Sequence, residues 1–353
     1  MNTTNDILLS ITIPTFNRAE ILEKNLHQLF SQISPEMLNE VEIIVSDNCS
    51  SDNTEEIIIP FKTSNTNFMY IKNHQNLGWG LNFFQCFNLA KGKYIIILSD
   101  DDLIMDGKLE FIIKILKEKE YGVICLRAFG FSENYKDEFP GERGGIFEFK
   151  EFNSFLRKAF PQITLLSSTI LNKSIIQNYK TNDINPGNFA HLHLILECSS
   201  QANFNAYVDD YVIAVQRDNS SNYSYSKVFV LELWKLLYDY TRLGITTQTL
   251  EYLEKKMLLT HYPFDLLRIR LHKTEFLKEC REDFQKKFES NKIYIIFIRP
   301  ILTLPKVLAI FWSLIIISIN KFLKGEIKSL IFIAKKFFLK KIASFFASKT
   351  LKI

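Results

Sequence analysis

Three consecutive carboxylates, Asp100, Asp101 and Asp102, follow the apolar run YIIIL at 94–98. Adjacent carboxylates repel one another, so their ionised forms are costly unless a cation or hydrogen-bond donors offset the charge. Hard divalent cations prefer oxygen ligands, and Mg²⁺ commonly combines one or two carboxylates with substrate phosphates and water. The triplet therefore predicts a site for a metal and a diphosphate. A polar turn that caps a helix beginning near Met105 is the alternative.

Two other polar loops lie upstream, each directly after an apolar segment. PTFNR supplies Thr15 and the cationic Arg18, and SDNCSSDNT supplies Asp47, Asn48 and several hydroxyls. Asp47 and Asn48 can pair with a nucleobase or ribose edge, and a helix N-terminus after them favours an anion. Asn76, in a loop with two glycines, is either a further binding residue or a turn cap.

Alternating strand and helix patterns must position these loops. Short β-branched runs alternate with segments whose apolar residues recur about every 3.6 positions. The predicted strands are 8–14, 41–47, 68–73, 94–100 and 121–129. Such alternation predicts an α/β fold with a mostly parallel sheet, in which ligands bind beyond the carboxyl ends of the strands. We therefore expect the three loops to meet at one edge.

Later segments are less regular. ITLLSSTIL (163–171) predicts a strand, NFAHLHLILECSSQ (188–201) predicts a short helix, and residues 227–290 are helical in pattern. A capping box of Asn17 and Glu20 is predicted at the first helix.

Basic charge is concentrated in the last part of the chain. Residues 291–353 contain 12 of the 43 Lys and Arg residues but one of the 39 acidic residues. The apolar run at 307–319 is shorter than the ~20 residues that cross a bilayer. Residues 329–349 place lysine pairs between apolar pairs, which is typical of an interfacial helix. We predict that this tail binds an anionic membrane surface; a terminal helix packed on the body with solvated lysines is the alternative.

Several classes of protein are disfavoured. The chain has no GxGxxG after the first strand, no GxxxxGK[ST] and no Cys/His spacing suited to zinc. The apolar runs of the tail fit lipid better than nucleic acid, so no nucleic-acid partner is expected. Five widely spaced cysteines suit reduced thiols in the cytoplasm, and the N-terminus is expected to be a strand, not a signal peptide.

Taken in order, SITIPTFNR, VEIIVSDNCSSDNT and NLGWGLNFFQCFNLAKGKYIIILSDDD resemble the N-terminal half of glycosyltransferase family 2. The likeness extends in particular to bacterial abequosyltransferase-like members that build surface polysaccharides. It covers roughly residues 8–125, and a weaker likeness continues to about residue 225. The resemblance implies a GT-A (Rossmann-like) fold, a nucleotide-diphosphate-sugar donor, Mg²⁺ or Mn²⁺ at a DXD-type motif, and usually inversion at the anomeric carbon.

The resemblance also implies roles for individual residues. Asp47 would contact the base, Asp100 would lie near the ribose, and Asp102 would bind the metal. The predicted nucleotide-sugar-binding residues are Pro14, Thr15, Arg18, Asp47, Asn48, Asn76, Asp100 and Asp101. Many members have Leu-Asp-x-Asp-Asp where this chain has Ser99 in place of the first acid, so the identity of the metal-binding carboxylate stays open.

The general base is the least defined part of the predicted site. Family members often place an acidic pair near the start of a later helix, but NPGNFAHLHLILEC has none. His191 is the first candidate, because histidine titrates near neutral pH, and Asp183 is the second. His193 lies two positions from His191 and therefore on another face of a helix. Both histidines could instead be structural or contact the acceptor.

We therefore expect a metal-dependent glycosyltransferase that acts on a lipid-linked or surface-polysaccharide acceptor, such as O-antigen or capsule. It would be a peripheral protein of the inner face of the plasma membrane. The expected regions are a nucleotide-sugar-binding half (1–125), an acceptor-side half (126–226), a helical extension (227–290) and basic amphipathic membrane-associating helices (291–353). The alternatives are a non-catalytic nucleotide-binding scaffold at the membrane and a nucleotidyltransferase on a similar sheet.

Overall fold

A computed structural model describes residues 7–64, 67–181, 185–217 and 223–323. The chain divides into two compact units. The first is Met1–Asn222 with Lys235–Thr249, and the second is Tyr223–Trp234 with Leu250–Ile353.

A mixed sheet forms the centre of the first unit. Its strands are β1 Leu9–Thr15, β2 Val41–Asp47, β3 Phe68–Lys72, β4 Tyr94–Ile97, β5 Leu103–Ile104, β6 Val123–Phe131, β7 Ile146–Phe149, β8 Thr169–Asn172 and β9 Asn205–Gln216. Their order is β3-β2-β1-β4-β8-β6-β9-β5, and β7 pairs with β9. Strands β1 to β4 are parallel, whereas β8 is antiparallel to both β4 and β6. The carboxyl ends of β1, β2 and β4 therefore lie along one edge.

Helices flank this sheet, and consecutive residues of β1, β2 and β4 are buried, as expected for strands that are covered on both faces. The helices of the first part are α1 Ala19–Phe30, α2 Thr54–Ser64, α3 Trp79–Leu89, α4 Lys108–Glu118, α5 Phe152–Ala159 and α6 Ala190–Gln201. Helix α1 buries Leu22, Leu26 and Leu29, whose spacing of three and four places them on one face. All seven residues of β2 are buried.

The predicted α/β fold is confirmed, and one predicted strand is wrong. Only the last part of 163–171 pairs in the sheet, as β8; the chain before it forms two 3₁₀ turns, Gln162–Thr164 and Leu166–Ser168. The hydroxyl of Ser168 donates to the backbone carbonyls of Gln162 and Leu165. Such bonds from a side chain to the local backbone compete with strand pairing.

The second part of the chain is helical, as predicted. Its helices are α7 Leu233–Asp239, α8 Thr247–Lys256, α9 Tyr262–His272, α10 Leu277–Phe288, α11 Arg299–Thr303 and α12 Lys306–Leu323. In the second unit the buried Trp234 donates through Nε1 to the hydroxyl of Tyr262 at 2.7 Å. The ring of Tyr262 packs edge-on against Phe284, with ring centres 4.9 Å apart.

Among the residues that the structure describes, no helix is both long and apolar enough to cross a bilayer. Helix α12 contains the apolar run at 307–319. The predicted interfacial segment 329–349 lies outside the described residues.

Candidate active site

The three polar loops meet at the carboxyl edge of β1, β2 and β4, as the parallel pattern predicts. Thr15, the last residue of β1, contacts both neighbouring loops. Its hydroxyl donates to the carboxylate of Asp100 at 2.8 Å, and its carbonyl accepts from the backbone N–H of Asn48 at 2.9 Å. The backbone N–H of Asn17 donates to the hydroxyl of Ser50 at 2.9 Å. The half-buried Pro14 precedes Thr15 on the same strand.

Arg18 faces the aspartate triplet. Its Nη1 donates to Asp100 Oδ1 at 2.7 Å and to Asp101 Oδ2 at 3.0 Å. Asp101 also accepts from the hydroxyl of Ser99 at 2.6 Å. The three aspartates are each at most 7% exposed. One guanidinium therefore serves two buried carboxylates.

Asp102 is held by a different set of donors. Its Oδ2 accepts from the hydroxyl of Ser167 at 2.6 Å, and its Oδ1 accepts from the backbone N–H of Gln216 at 3.1 Å. Burial, with a contribution from the charge of Asp101, raises the pKa of Asp102 to about 7. Burial also raises the pKa of Asp100, although Arg18 opposes this. The described donors therefore leave the negative charge of the triplet only partly compensated.

This donor set fits a hard divalent cation. The three ionised carboxylates and the one guanidinium, which contacts two of them, carry two formal negative charges together, and all of the ligand atoms are oxygens. Within the described part of the chain, no group of three or more His, Cys, Asp or Glu side chains has an arrangement that could hold a metal ion. Mg²⁺ often takes its remaining ligands from substrate phosphates and water, and such a site needs no complete protein cage.

Asp47 is the last residue of β2 and accepts a hydrogen bond from within the loop that leads to α2. The residue is fully buried; its Oδ1 accepts from the backbone N–H of Ser50 at 2.8 Å, and its Oδ2 accepts from the hydroxyl of Tyr70 at 2.7 Å. Burial, reinforced by Asp47, raises the pKa of Tyr70, so the phenol stays protonated and donates. Cys49 has a φ of 70°, in the left-handed region that non-glycine residues rarely adopt. The contact of Asp47 with a nucleobase stays a prediction.

Asn48 and Asn76 join this loop to the one before α3. Asn48 Nδ2 donates to Asn76 Oδ1 at 2.8 Å, and Asn48 Oδ1 accepts from the backbone N–H of Leu77 at 2.9 Å. Asn76 Oδ1 also accepts from the backbone N–H of Gly78, whose φ is 82°. The turn-capping alternative for Asn76 is therefore observed, while its side chain remains exposed.

The predicted capping box of Asn17 and Glu20 is wrong. Helix α1 has no side-chain cap from its own N-cap residue. Instead Asp52, on the neighbouring loop, accepts from the backbone N–H of Ala19 at 3.0 Å and from that of Thr54 at 3.1 Å. One carboxylate thus caps α1 and α2, and the Asp-x-Thr pattern before α2 is the local signal for half of this role.

The hydrogen bonds described for the two candidate histidines do not involve the aspartate triplet. His191 is 5% exposed, and its Nε2 lies 3.0 Å from the carbonyl of Thr164. Burial lowers the pKa of His191 to about 4, and its Nδ1 has no hydrogen-bond partner among the described residues. His193 Nδ1 lies 2.8 Å from the hydroxyl of Tyr240. Asp183 falls within 182–184, outside the described residues.

Residues 10–173 match the sequence profile of glycosyl transferase family 2. This part of the chain is a family 2 glycosyltransferase domain. The abequosyltransferase RfbV of Salmonella typhimurium is 37% identical over 124 residues, which are 34% of this chain and 36% of that protein. The GalNAc(5)-diNAcBac-PP-undecaprenol beta-1,3-glucosyltransferase of Campylobacter jejuni is 29% identical over 52% of this chain and 58% of its own length. The chain thus spans roughly a third to three fifths of the length of the curated relatives it matches.

Solved structures share the fold of this chain. Residues 1–349 of Staphylococcus aureus TarS superpose with a TM-score of 0.56 and 16% identity, over 90% of this chain and 92% of that one. The mannosyltransferase PcManGT of Pyrobaculum calidifontis gives a TM-score of 0.52 and 12% identity, over 89% and 87%. At these identities the likeness concerns the fold alone, and the expected GT-A architecture is confirmed.

Proposed function

We propose that this chain is a glycosyltransferase that moves a sugar from a nucleoside diphosphate to an acceptor hydroxyl. The observation that carries the proposal is the cluster of three buried aspartates beside Arg18 and Thr15, at the carboxyl edge of parallel strands in a family 2 domain. Proteins of the same fold bind such donors: TarS has been solved with UDP-GlcNAc, and PcManGT with GDP-Man and Mn²⁺.

The proposed reaction depends on Mg²⁺ or Mn²⁺. Asp102 would hold the cation, with Asp100 and Asp101 beside it. When bound, such a cation neutralises charge on a diphosphate leaving group. Ser167 and the backbone of Gln216 fix the orientation of the Asp102 carboxylate from the protein side. The carboxylate therefore needs little rearrangement to present its free lone pairs.

Inversion would require a base that removes the proton of the acceptor hydroxyl. A pKa of about 4 makes His191 a weak proton acceptor at neutral pH, and its Nε2 already contacts the carbonyl of Thr164. We therefore propose Asp183 ahead of His191. The variant Asp183→Asn should reduce kcat strongly and His191→Gln only weakly; the reverse order would restore His191 to this role.

The proposed acceptor is lipid-linked or a growing surface polysaccharide, and the chain would work at the inner face of the plasma membrane. The name of the Campylobacter jejuni relative places its substrate on undecaprenol. In this chain, α12 exposes an apolar face of large side chains: Val307, Leu308, Phe311, Ile319 and Phe322 are 54–70% exposed. Residues 291–323 carry four basic residues and no acid. Such a surface suits the interface of an anionic bilayer.

The activity is tested by incubating the full chain with a panel of UDP-, GDP-, TDP- and CDP-sugars and Mn²⁺. We expect release of a nucleoside diphosphate from one of them, and loss of that release in Asp102→Ala. The matched control is Asp106→Asn, whose carboxylate pairs with Lys136 at 2.6 Å. Release of pyrophosphate would instead indicate a nucleotidyltransferase, and absence of turnover with every donor would leave the non-catalytic scaffold.

Membrane binding is tested by sedimentation with vesicles of phosphatidylcholine, with and without phosphatidylglycerol. We expect the full chain to pellet with the anionic vesicles, and the double variant Phe311→Glu/Phe322→Glu to remain in the supernatant. Phe147→Glu is the control, because Phe147 is also exposed (44%) but lies on β7 in the first unit. Equal pelleting of all three proteins would contradict the role of α12.

A further inference from the structure

Arg18 occupies an unusual position in the cluster. It follows Asn17, whose φ is 52°, and it forms the N-cap of α1. Its side chain is 25% exposed, while the side chains of the two carboxylates that it contacts, Asp100 and Asp101, are each 5% exposed. The guanidinium is thus a partly solvated cation placed over two buried anions.

A divalent cation at the triplet would draw on the same negative charge that Arg18 now balances. Like charges in a poorly solvated site repel strongly, so the two cations compete. Arginine stays protonated at any ordinary pH, and it can release Asp100 and Asp101 only by moving to another anion. Diphosphate is such an anion, because the planar guanidinium forms paired hydrogen bonds with phosphate oxygens.

We propose that Arg18 is the resident counter-ion of the donor-free site. It holds Asp100 and Asp101 until the diphosphate of the donor takes over the guanidinium, and the negative charge of these two carboxylates then favours a divalent cation at the neighbouring Asp102. The inference rests on the proposed function, since it takes a diphosphate donor as given. Its consequence is that the cation binds weakly to the empty protein and tightly together with the nucleotide.

The effect of nucleotide on cation binding distinguishes this role from that of a permanent ion pair. Removal of any nearby positive charge favours cation binding. If the guanidinium stayed in place, its removal would strengthen Mn²⁺ binding equally with and without nucleotide. If the guanidinium moves onto the diphosphate, its removal favours cation binding only in the donor-free protein. The readout is therefore the factor by which a nucleotide strengthens Mn²⁺ binding, and not the Mn²⁺ affinity alone.

The experiment titrates the full chain with Mn²⁺, followed by electron paramagnetic resonance of the free ion, alone and with saturating UDP, GDP, TDP or CDP. For Arg18→Gln we expect the affinity for Mn²⁺ alone to rise about tenfold, and the strengthening by nucleotide to fall by a similar factor. Arg18→Lys keeps a positive charge without the paired geometry, so its effects should be smaller in the same direction. Arg143→Gln is the matched control, because Arg143 donates to Asp209 at 3.2 Å and should change neither quantity.

Two results would overturn the inference. One is an affinity for Mn²⁺ alone that is unchanged in Arg18→Gln. The other is a rise in the affinity for Mn²⁺ that is equal with and without nucleotide. Should Arg18→Gln lose its near-ultraviolet circular dichroism, Arg18→Lys decides on the same two criteria. A wild-type chain that binds no nucleoside diphosphate would contradict the proposed function itself, whereas metal-dependent nucleotide binding with no special effect of Arg18 would contradict this inference alone.

Discussion

Replacement of Asp102 by asparagine should stabilise the metal-free protein at pH 8 while it abolishes turnover. Asp102 is 7% exposed and accepts two hydrogen bonds from the protein. Burial and the charge of Asp101 raise its pKa to about 7. An amide of the same shape removes this charge and keeps an oxygen for the N–H of Gln216. It also places an N–H₂ group against the hydroxyl of Ser167.

The size of the effect follows from the difference between the pKa of Asp102 in the folded protein and its pKa in the unfolded chain. In the unfolded chain an aspartate ionises near pH ~3.9, so between about pH 4 and pH 7 the unfolded state loses a proton that the folded state keeps. The stability of the wild type therefore falls across this window and is lowest above pH 7. Each tenfold change in proton affinity corresponds to about 1.4 kcal/mol, which gives a total of roughly 4 kcal/mol. The hydrogen bond from Ser167 lowers the pKa of Asp102, so its loss is already contained in this total.

The assay is urea unfolding of both proteins in EDTA at pH 4, 5 and 8. The free energy of unfolding of Asp102→Asn should exceed that of the wild type by roughly 4 kcal/mol at pH 8, and the difference should vanish near pH 4. Asp106→Asn should show the opposite trend, because a hydrogen bond from Lys136 lowers the pKa of Asp106. A difference for Asp102→Asn that stays constant or shrinks as the pH rises would refute the reasoning.

Three further predictions concern residues around the cluster. Asp52→Ala should lower the free energy of unfolding by about 1–2 kcal/mol for each helix it caps, as measured in urea, since its carboxylate bonds the first turns of α1 and α2; a loss below 0.5 kcal/mol would rule out a capping role. Ser167→Ala should raise the Mn²⁺ concentration that half-activates donor turnover and leave the donor KM nearly unchanged, because the lost hydroxyl orients Asp102 and not the nucleotide. Asp47→Asn should weaken nucleotide binding about tenfold by calorimetry while the far-ultraviolet circular dichroism is unchanged; unaltered affinity would leave Asp47 a purely structural residue.

The sequence was sufficient for the features of the site that are local. Strands β1, β2 and β4 are short, and polar residues end or directly follow each of them, so these residues could be placed on one edge from topology rules alone. Asp47, Thr15 and the aspartate triplet were found in this way. Their common position depends only on strand direction, which the alternation of strands and helices determines.

The partners of these residues could not be predicted, because they come from distant parts of the chain. Ser167 contacts Asp102 across 65 positions, and Gln216 does so across 114. Ser167 lies in a run with the composition of a strand, and only its tertiary contacts show that it forms a turn. The capping of α1 by Asp52 was missed for the same reason, since the carboxylate lies 33 positions from Ala19.

The antiparallel strand β8 has a consequence for how the sheet is completed. Strand β4 meets β1 on one side and β8 on the other, and β6 is joined to β8 and β9 in the described sheet. A chain that leaves the ribosome N-terminus first therefore presents the edge of β4, with Ile95 and Ile96, before residues 169–172 exist to cover it. Asp102 gains its hydrogen-bond donors only when Ser167 and Gln216 have been synthesised, so a nascent chain of about 130 residues contains Asp102 without them.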